Sequence, residues 1–398
     1  MTRTVQTATE HQEERASSAD VSLIRGGPFY RVQQVTRLIG PGSWNLGRRI
    51  TIAIVVSWVP LVVMTAAYHP SALRNLLNDY RVTARLLIAV PVLLAGQVVM
   101  ESRFRLIVKH LRELRILDAS QLSELDSIIA RLRRWRDSIW PELILIALVY
   151  GNVSYAISTH IHETRPWAIA GDGLSHLLPA GWYYALVSQL VYQFLVAISL
   201  WKWLLWSYFT LRLSRLDIEL VPTHPDQHGG LGFLGLSPVG CAPVAFATTA
   251  AIGANWRYQI LSKGAHLAGF KVDAIVLLSL VIVVAIGPLV FFVPRLAKLR
   301  RNGLLEYGIL GQIHSADFHK KWILDPNRSD EEFLTAPEIS ALTDYASSYE
   351  SIEKMQPFPL DKGSLIALAL AVALPLFPVV LAEIPLSVVL KALFEAVK

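Results

Sequence analysis

Seven apolar runs divide the chain, most of them close to the roughly 20 residues that a helix needs to cross a bilayer. They cover residues 50–67, 86–100, 140–157, 182–206, 233–254, 274–293 and 364–382. The second is the shortest, held between Arg85 and Glu101, and reads either as a span of little tilt or as a re-entrant segment. Hydrophobic residues make up 53% of the chain and charged residues only 17%, against about 25% charged in soluble domains. A water-soluble core cannot hide that much apolar surface, whereas lipid can. In lipid every backbone amide must be satisfied internally, so the choice is helices or a closed barrel. No strand pattern of any length accompanies the runs, and the expected fold is an all-α polytopic membrane protein with seven transmembrane helices.

Charge outside the runs orients them. Twenty-seven lysines and arginines fall on the side that holds residues 1–49, 101–139, 207–232 and 295–363, and eight fall on the other. Such a bias puts the N-terminus in the cytoplasm and the C-terminus outside. The same asymmetry explains the net charge of +6 without a nucleic-acid partner. Eleven tryptophans and thirteen tyrosines suit two interfacial belts, and a single cysteine, Cys241, excludes a disulfide framework.

Around the membrane domain at 46–398 the chain reads as follows. Residues 1–27 are polar and aperiodic, a disordered tail. Residues 28–45 carry Phe29, Val32, Val35 and Ile39 at helical spacing, an amphipathic helix lying on the membrane or on the protein's own cytoplasmic face. Two cytoplasmic insertions, 101–139 and 295–362, are long enough to fold into a small helical layer. Asp118 with Gln121 forms a capping signal in the first. In the second, a helix extending to about Ile323 breaks at Asp325-Pro-Asn327, and another starts at Thr335-Ala-Pro-Glu338.

The densest cluster of ionisable and turn-forming residues is 216–235, just before the fifth run. Its core, His224-Pro-Asp-x-x-Gly-Gly-Leu-Gly-Phe-Leu234, is preceded by Leu213-Ser-Arg-Leu-Asp217. With Pro28-Phe-Tyr-Arg31, Leu304-Leu-Glu-Tyr-Gly308, Lys321-Trp322 and Ser348-Tyr-Glu350, this resembles the signature of a family of uncharacterised bacterial multi-pass membrane proteins. The resemblance covers most of the chain from Pro28 onward. It implies a bacterial inner membrane and brings no activity with it.

Several chemistries are open to this cluster. His224, Asp226 and His228 have donor types that a divalent metal takes, and His314, Asp317 and His319 could add to them. Alternatively Asp226 accepts backbone N–H bonds in an Asx-type turn. The amides at Gly229, Gly230 and Gly232 before a helix could bind an anion. Gly230-x-Gly232-x-x-Gly235 spells a dinucleotide fingerprint, but a fingerprint needs a preceding strand and a βαβ unit, and here a membrane span follows. The small residues of the fifth run, Gly240, Ala247, Ala250, Ala251 and Ala254, favour close helix packing.

Inside the runs, Asn152, Gln189 and Gln193 could line a polar pathway or simply bond between helices. Lys202, in Trp201-Lys-Trp203, reads as snorkelling toward the cytoplasmic interface. Glu383 follows Pro375 and Pro378 near the outer end of the seventh run, where an ionisable group should face water or protein. These features point first to an oligomeric channel or transporter for ions or small solutes, cation-preferring through Glu383. The alternatives are an enzyme using His224 and Asp226 on a lipid headgroup or phosphate, and a sensor or scaffold. No resident cofactor is expected beyond the metal just discussed.

Overall fold

The computed structural model describes residue 22 and residues 25–40, 44–113, 117–160, 165, 167–169, 177–324 and 337–384. Most of the tail at 1–27, the break at 325–327, the start of the capping signal at 335–338 and the end of the chain after 384 lie outside the described residues. The helices are α1 (Pro28–Val35), α2 (Leu46–Tyr68), α3 (Tyr80–Glu113), α4 (Ala119–Asp137), α5 (Ile139–His160) and α6 (Pro179–Leu213). They continue as α7 (Gly232–Lys263), α8 (Leu267–Val290), α9 (Val293–Phe318), α10 (Pro337–Glu353) and α11 (Lys362–Val380). Seven of these, α2, α3, α5, α6, α7, α8 and α11, are long and apolar enough to cross a membrane. No strand occurs among the described residues. The chain is an all-α, multi-pass membrane protein.

The second span is not the short element its apolar run suggests. α3 has 34 residues, about 51 Å at the helical rise, well beyond the ~30 Å hydrocarbon core. Its second half leaves the membrane and buries Phe104, Ile107, Val108 and Leu111. The hydropathy of the run ends at Glu101, but the helix continues because the next face is amphipathic rather than uniformly apolar. Phe104 stacks on Trp206 of α6 with centroids 4.0 Å apart, and Trp203 donates its indole N–H to the Val284 carbonyl at 2.7 Å. Those contacts join α3, α6 and α8.

α4 begins at the expected signal. The Asp118 carboxylate accepts the Gln121 amide at 2.7 Å, and the Gln121 side chain reaches back to the Asp118 amide. α4 then lies along the span α6, whereas α9 pairs with α10. α1 is fixed by its N-terminal end: Phe29 N donates to Glu142 at 2.7 Å and Gly27 N to Asp137 at 2.9 Å. Val32 and Val35 face outward. α1 is thus anchored to the protein while presenting an apolar face at the level where α5 starts.

The seventh span packs most extensively on the fifth. Small residues make this possible: Ala247, Ala250 and Ala251 are buried, and a Cβ placed on Gly253 would lie 3.2 Å from the Pro375 carbonyl oxygen. The proline-bent part of α11 therefore sits against protein, as freed carbonyls in lipid require. Lys202 does not snorkel. It is buried. Arg49, also buried, donates to the Gln97 side-chain oxygen Oε1 at 2.7 Å. Enclosure among α2, α3, α5 and α6 replaces the aqueous interface that the flanking tryptophans suggest.

Candidate functional site

Two polar sites lie at opposite ends of the bundle. The first is the turn before α7. Asp226 is its centre: one carboxylate oxygen accepts His228 N at 2.9 Å and Gly230 N at 3.0 Å, and the other accepts Gly232 N at 2.8 Å. His224 Nδ1 lies 2.8 Å from the same carboxylate. Three residues of the turn, Gln227, Gly229 and Gly230, have positive φ, which glycine tolerates best. Burial alone would raise the Asp226 pKa, but the three amides and His224 hold it below the ordinary carboxylate value.

The turn is bolted to its surroundings. His228 places Nδ1 against the Asp226 carbonyl at 2.5 Å and Nε2 against the Phe358 carbonyl at 3.1 Å. Gln356 N donates to the Gln227 carbonyl at 2.8 Å, and Ser364 Oγ donates to the Gly235 carbonyl at 2.6 Å. On the other flank Arg295 of α9 bonds the Leu216 and Ile218 carbonyls and Asp217. The turn therefore ties the start of the fifth span to α9 and to the start of the seventh. Both ring nitrogens of His228 and both oxygens of Asp226 are used internally, and the anion held by the Gly230 and Gly232 amides is Asp226 itself. Among the described residues no group of three metal-ligating side chains is gathered. His314, Asp317 and His319 lie on α9 and the π-helical turn that follows it.

The second site is a cavity of about 410 Å³ at the end of the bundle away from the turn. Asn152 of α5 meets Gln189 and Gln193 of α6 in its wall, with Asn255 of α7. Asn152 Nδ2 donates to Gln193 Oε1 at 3.2 Å. Arg85 of α3 enters the same cavity and donates to the Tyr184 hydroxyl at 2.9 Å, and that hydroxyl donates to Gln189 Oε1 at 3.2 Å. Arg165, in the connection between α5 and α6, lines the cavity with its guanidinium 5.7 Å from the centre of the Tyr184 ring.

Arg85 and Tyr184 both sit on π-helical turns, Ala84–Ala89 in α3 and Tyr184–Ser188 in α6. In each, the bond skips one residue further than in an α-helix: Val90 N reaches the Arg85 carbonyl, and Gln189 N reaches the Tyr184 carbonyl. Such turns insert a residue and re-aim the side chains around it, and they recur at functional sites. The sequence leaves Arg85 at the edge of an apolar run. An arginine inside a span, on the membrane side of Tyr80, is the signal that finds it.

Glu383 belongs to neither site. It lies beyond α11, accepts the Leu267 amide at the start of α8 and stands 3.6 Å from His266 Nδ1. Its carboxylate serves the unsatisfied amides of the sixth span's N-terminus, a favourable place for negative charge. The prolines before it border a separate, mostly apolar groove among α3, α7 and α11. Compared with known proteins, the chain matches no family model, no curated protein and no solved structure.

Proposed function

We propose that the protein is a bacterial inner-membrane channel or transporter for small solutes, with the cavity around Arg85, Gln189 and Gln193 as its solute compartment. The observation that carries this reading is the convergence of polar side chains from four spans on one cavity. Polar groups inside a membrane are costly and collect where solute or water is handled. By the charge bias of the loops the cavity belongs to the outer half of the bundle and the His224 turn to the cytoplasmic face. The turn then acts as a bracket that fixes the cytoplasmic ends of the fifth and seventh spans relative to α9.

No cation preference follows, because Glu383 lies outside the cavity and caps the sixth span. The enzymatic reading draws little from His224 and Asp226, whose facing atoms are spent on the turn. An oligomeric assembly is supported by Leu305, Ile309 and Ile313, which form an exposed apolar stripe on α9 outside the membrane.

Flux into vesicles reconstituted with the purified protein tests the proposal, using radiolabelled succinate, glycerol and choline in parallel. At least one should enter faster than into protein-free vesicles, and Gln193→Trp should slow it by filling the cavity. Equal flux with and without protein for all three would defeat the reading.

A further inference from the structure

We propose that the cavity is a binding site for a small organic anion, held through a carboxylate or phosphate group by Arg85. This deepens the transport reading and rests on it for the anion's passage across the membrane, though not for its binding.

The charge balance comes first. Two guanidiniums and no carboxylate line the cavity among the described residues. Asp79, outside the lining, is buried and already engaged: Arg81 approaches it at 3.1 and 3.2 Å, and Trp167 donates to it at 3.2 Å. Its hydrogen-bonded counter-ion is Arg81, so the Arg85 guanidinium brings positive charge into the cavity. A positive, partly enclosed space with low-dielectric walls concentrates anions and repels cations.

Geometry gives the chemical class. Arg85 makes one hydrogen bond among the described residues, to Tyr184. That bond uses a single N–H of the five a guanidinium carries, and it fixes the plane without occupying the fork. Guanidinium forks match the paired oxygens of carboxylate and phosphate. A volume of about 410 Å³ lies in the ~300–1,000 Å³ range of pockets for whole small molecules, more room than a lone halide needs. Elsewhere in the lining Asn152, Gln193 and Asn255 offer both donors and acceptors, while Val153, Ile169 and Leu177 supply apolar surface. The matching ligand is a short organic anion with hydroxyl or amide groups along its chain.

The test is titration calorimetry on the full-length protein in lipid nanodiscs. The probes are succinate, lactate and glycerol phosphate, with glycerol and choline as the uncharged and cationic controls. At least one anion should bind well above both controls. Arg85→Gln should weaken it by about tenfold or more, the loss of one charge-assisted contact. Arg85→Lys, which keeps the charge, should retain part of the affinity and guards against a folding defect. Anions that bind no better than glycerol, or a folded Arg85→Gln protein with unchanged affinity, would overturn the site. Anion binding without flux in vesicles removes transport and keeps the site, whereas flux of choline or glycerol without anion binding does the reverse.

Discussion

Arg85 and Tyr184 meet at 2.9 Å across two spans, each on a π-helical turn, and the tyrosine passes the contact on to Gln189. An arginine inside a membrane helix is tolerated only where protein or water receives it. The two turns bring this one toward a polar cavity rather than toward lipid. Tyr184→Phe removes the shared hydroxyl and leaves the guanidinium donor without its partner. We expect a loss of about 1 kcal/mol in stability, seen as a lower unfolding temperature in detergent, together with weaker anion binding. A variant with unchanged stability and binding would show that the bond positions nothing.

Asp226 should behave as the keystone of the turn before α7. Asp226→Ala strands three backbone amides and should cost about 1–3 kcal/mol. Asp226→Asn keeps one carbonyl oxygen and should cost less. Proteolysis of the 216–235 region in membranes reads both, and equal resistance of all three proteins would contradict the keystone role.

The depressed Asp226 pKa fixes the sign of its pH dependence. A carboxylate whose folded pKa lies below its unfolded value, about 3.9, stabilises the fold above that value and loses the contribution as pH falls through the folded pKa. Wild-type protein should therefore weaken more steeply below about pH 4 than Asp226→Asn, whose side chain does not titrate there. Parallel acid unfolding curves for the two proteins would count against this assignment.

Backbone approach makes Gly235 intolerant of side chains. A Cβ there would stand 2.7 Å from the Asp361 amide nitrogen and 3.1 Å from the Pro359 carbonyl, atoms that cannot swing away. Gly230 has a different constraint: its Cβ would have room, but its φ is +95°. Gly235→Ala and Gly230→Val should each cost about 1–3 kcal/mol, and normal yield and unfolding temperature for both would refute the packing described.

Much of this architecture is written in the chain, for identifiable reasons. Span number follows from run length, which lipid enforces directly, and the Asp118–Gln121 cap is a local signal fulfilled within four residues. Asn152, Gln189 and Gln193 stand out because polar side chains in apolar runs are rare, and they meet in space. What is hidden depends on non-local partners. Arg85 looks like a boundary because hydropathy falls there, while its helix starts earlier at Tyr80 and its direction is set by a π-helical turn that no 3.6-residue period reveals. Glu383 looks like a pathway carboxylate, yet its partner is an amide 116 positions away. Lys202 looks interfacial because its neighbours are tryptophans, and only the packing of four helices encloses it.

Glu383→Gln keeps an acceptor for the Leu267 amide. Flux and ion preference should match wild type, and the unfolding temperature should change little. A large change in ion preference would return Glu383 to the solute path.

The most direct measurement places a single thiol in the cavity wall. In a Cys241→Ala background, Gln193→Cys should react with a membrane-impermeant thiol reagent added outside intact cells, and succinate or glycerol phosphate should slow the reaction. His224→Cys should react only after the cells are opened. A Gln193→Cys thiol that reacts solely from the cytoplasmic side, or a rate that no organic anion alters, would contradict an outward-facing anion cavity.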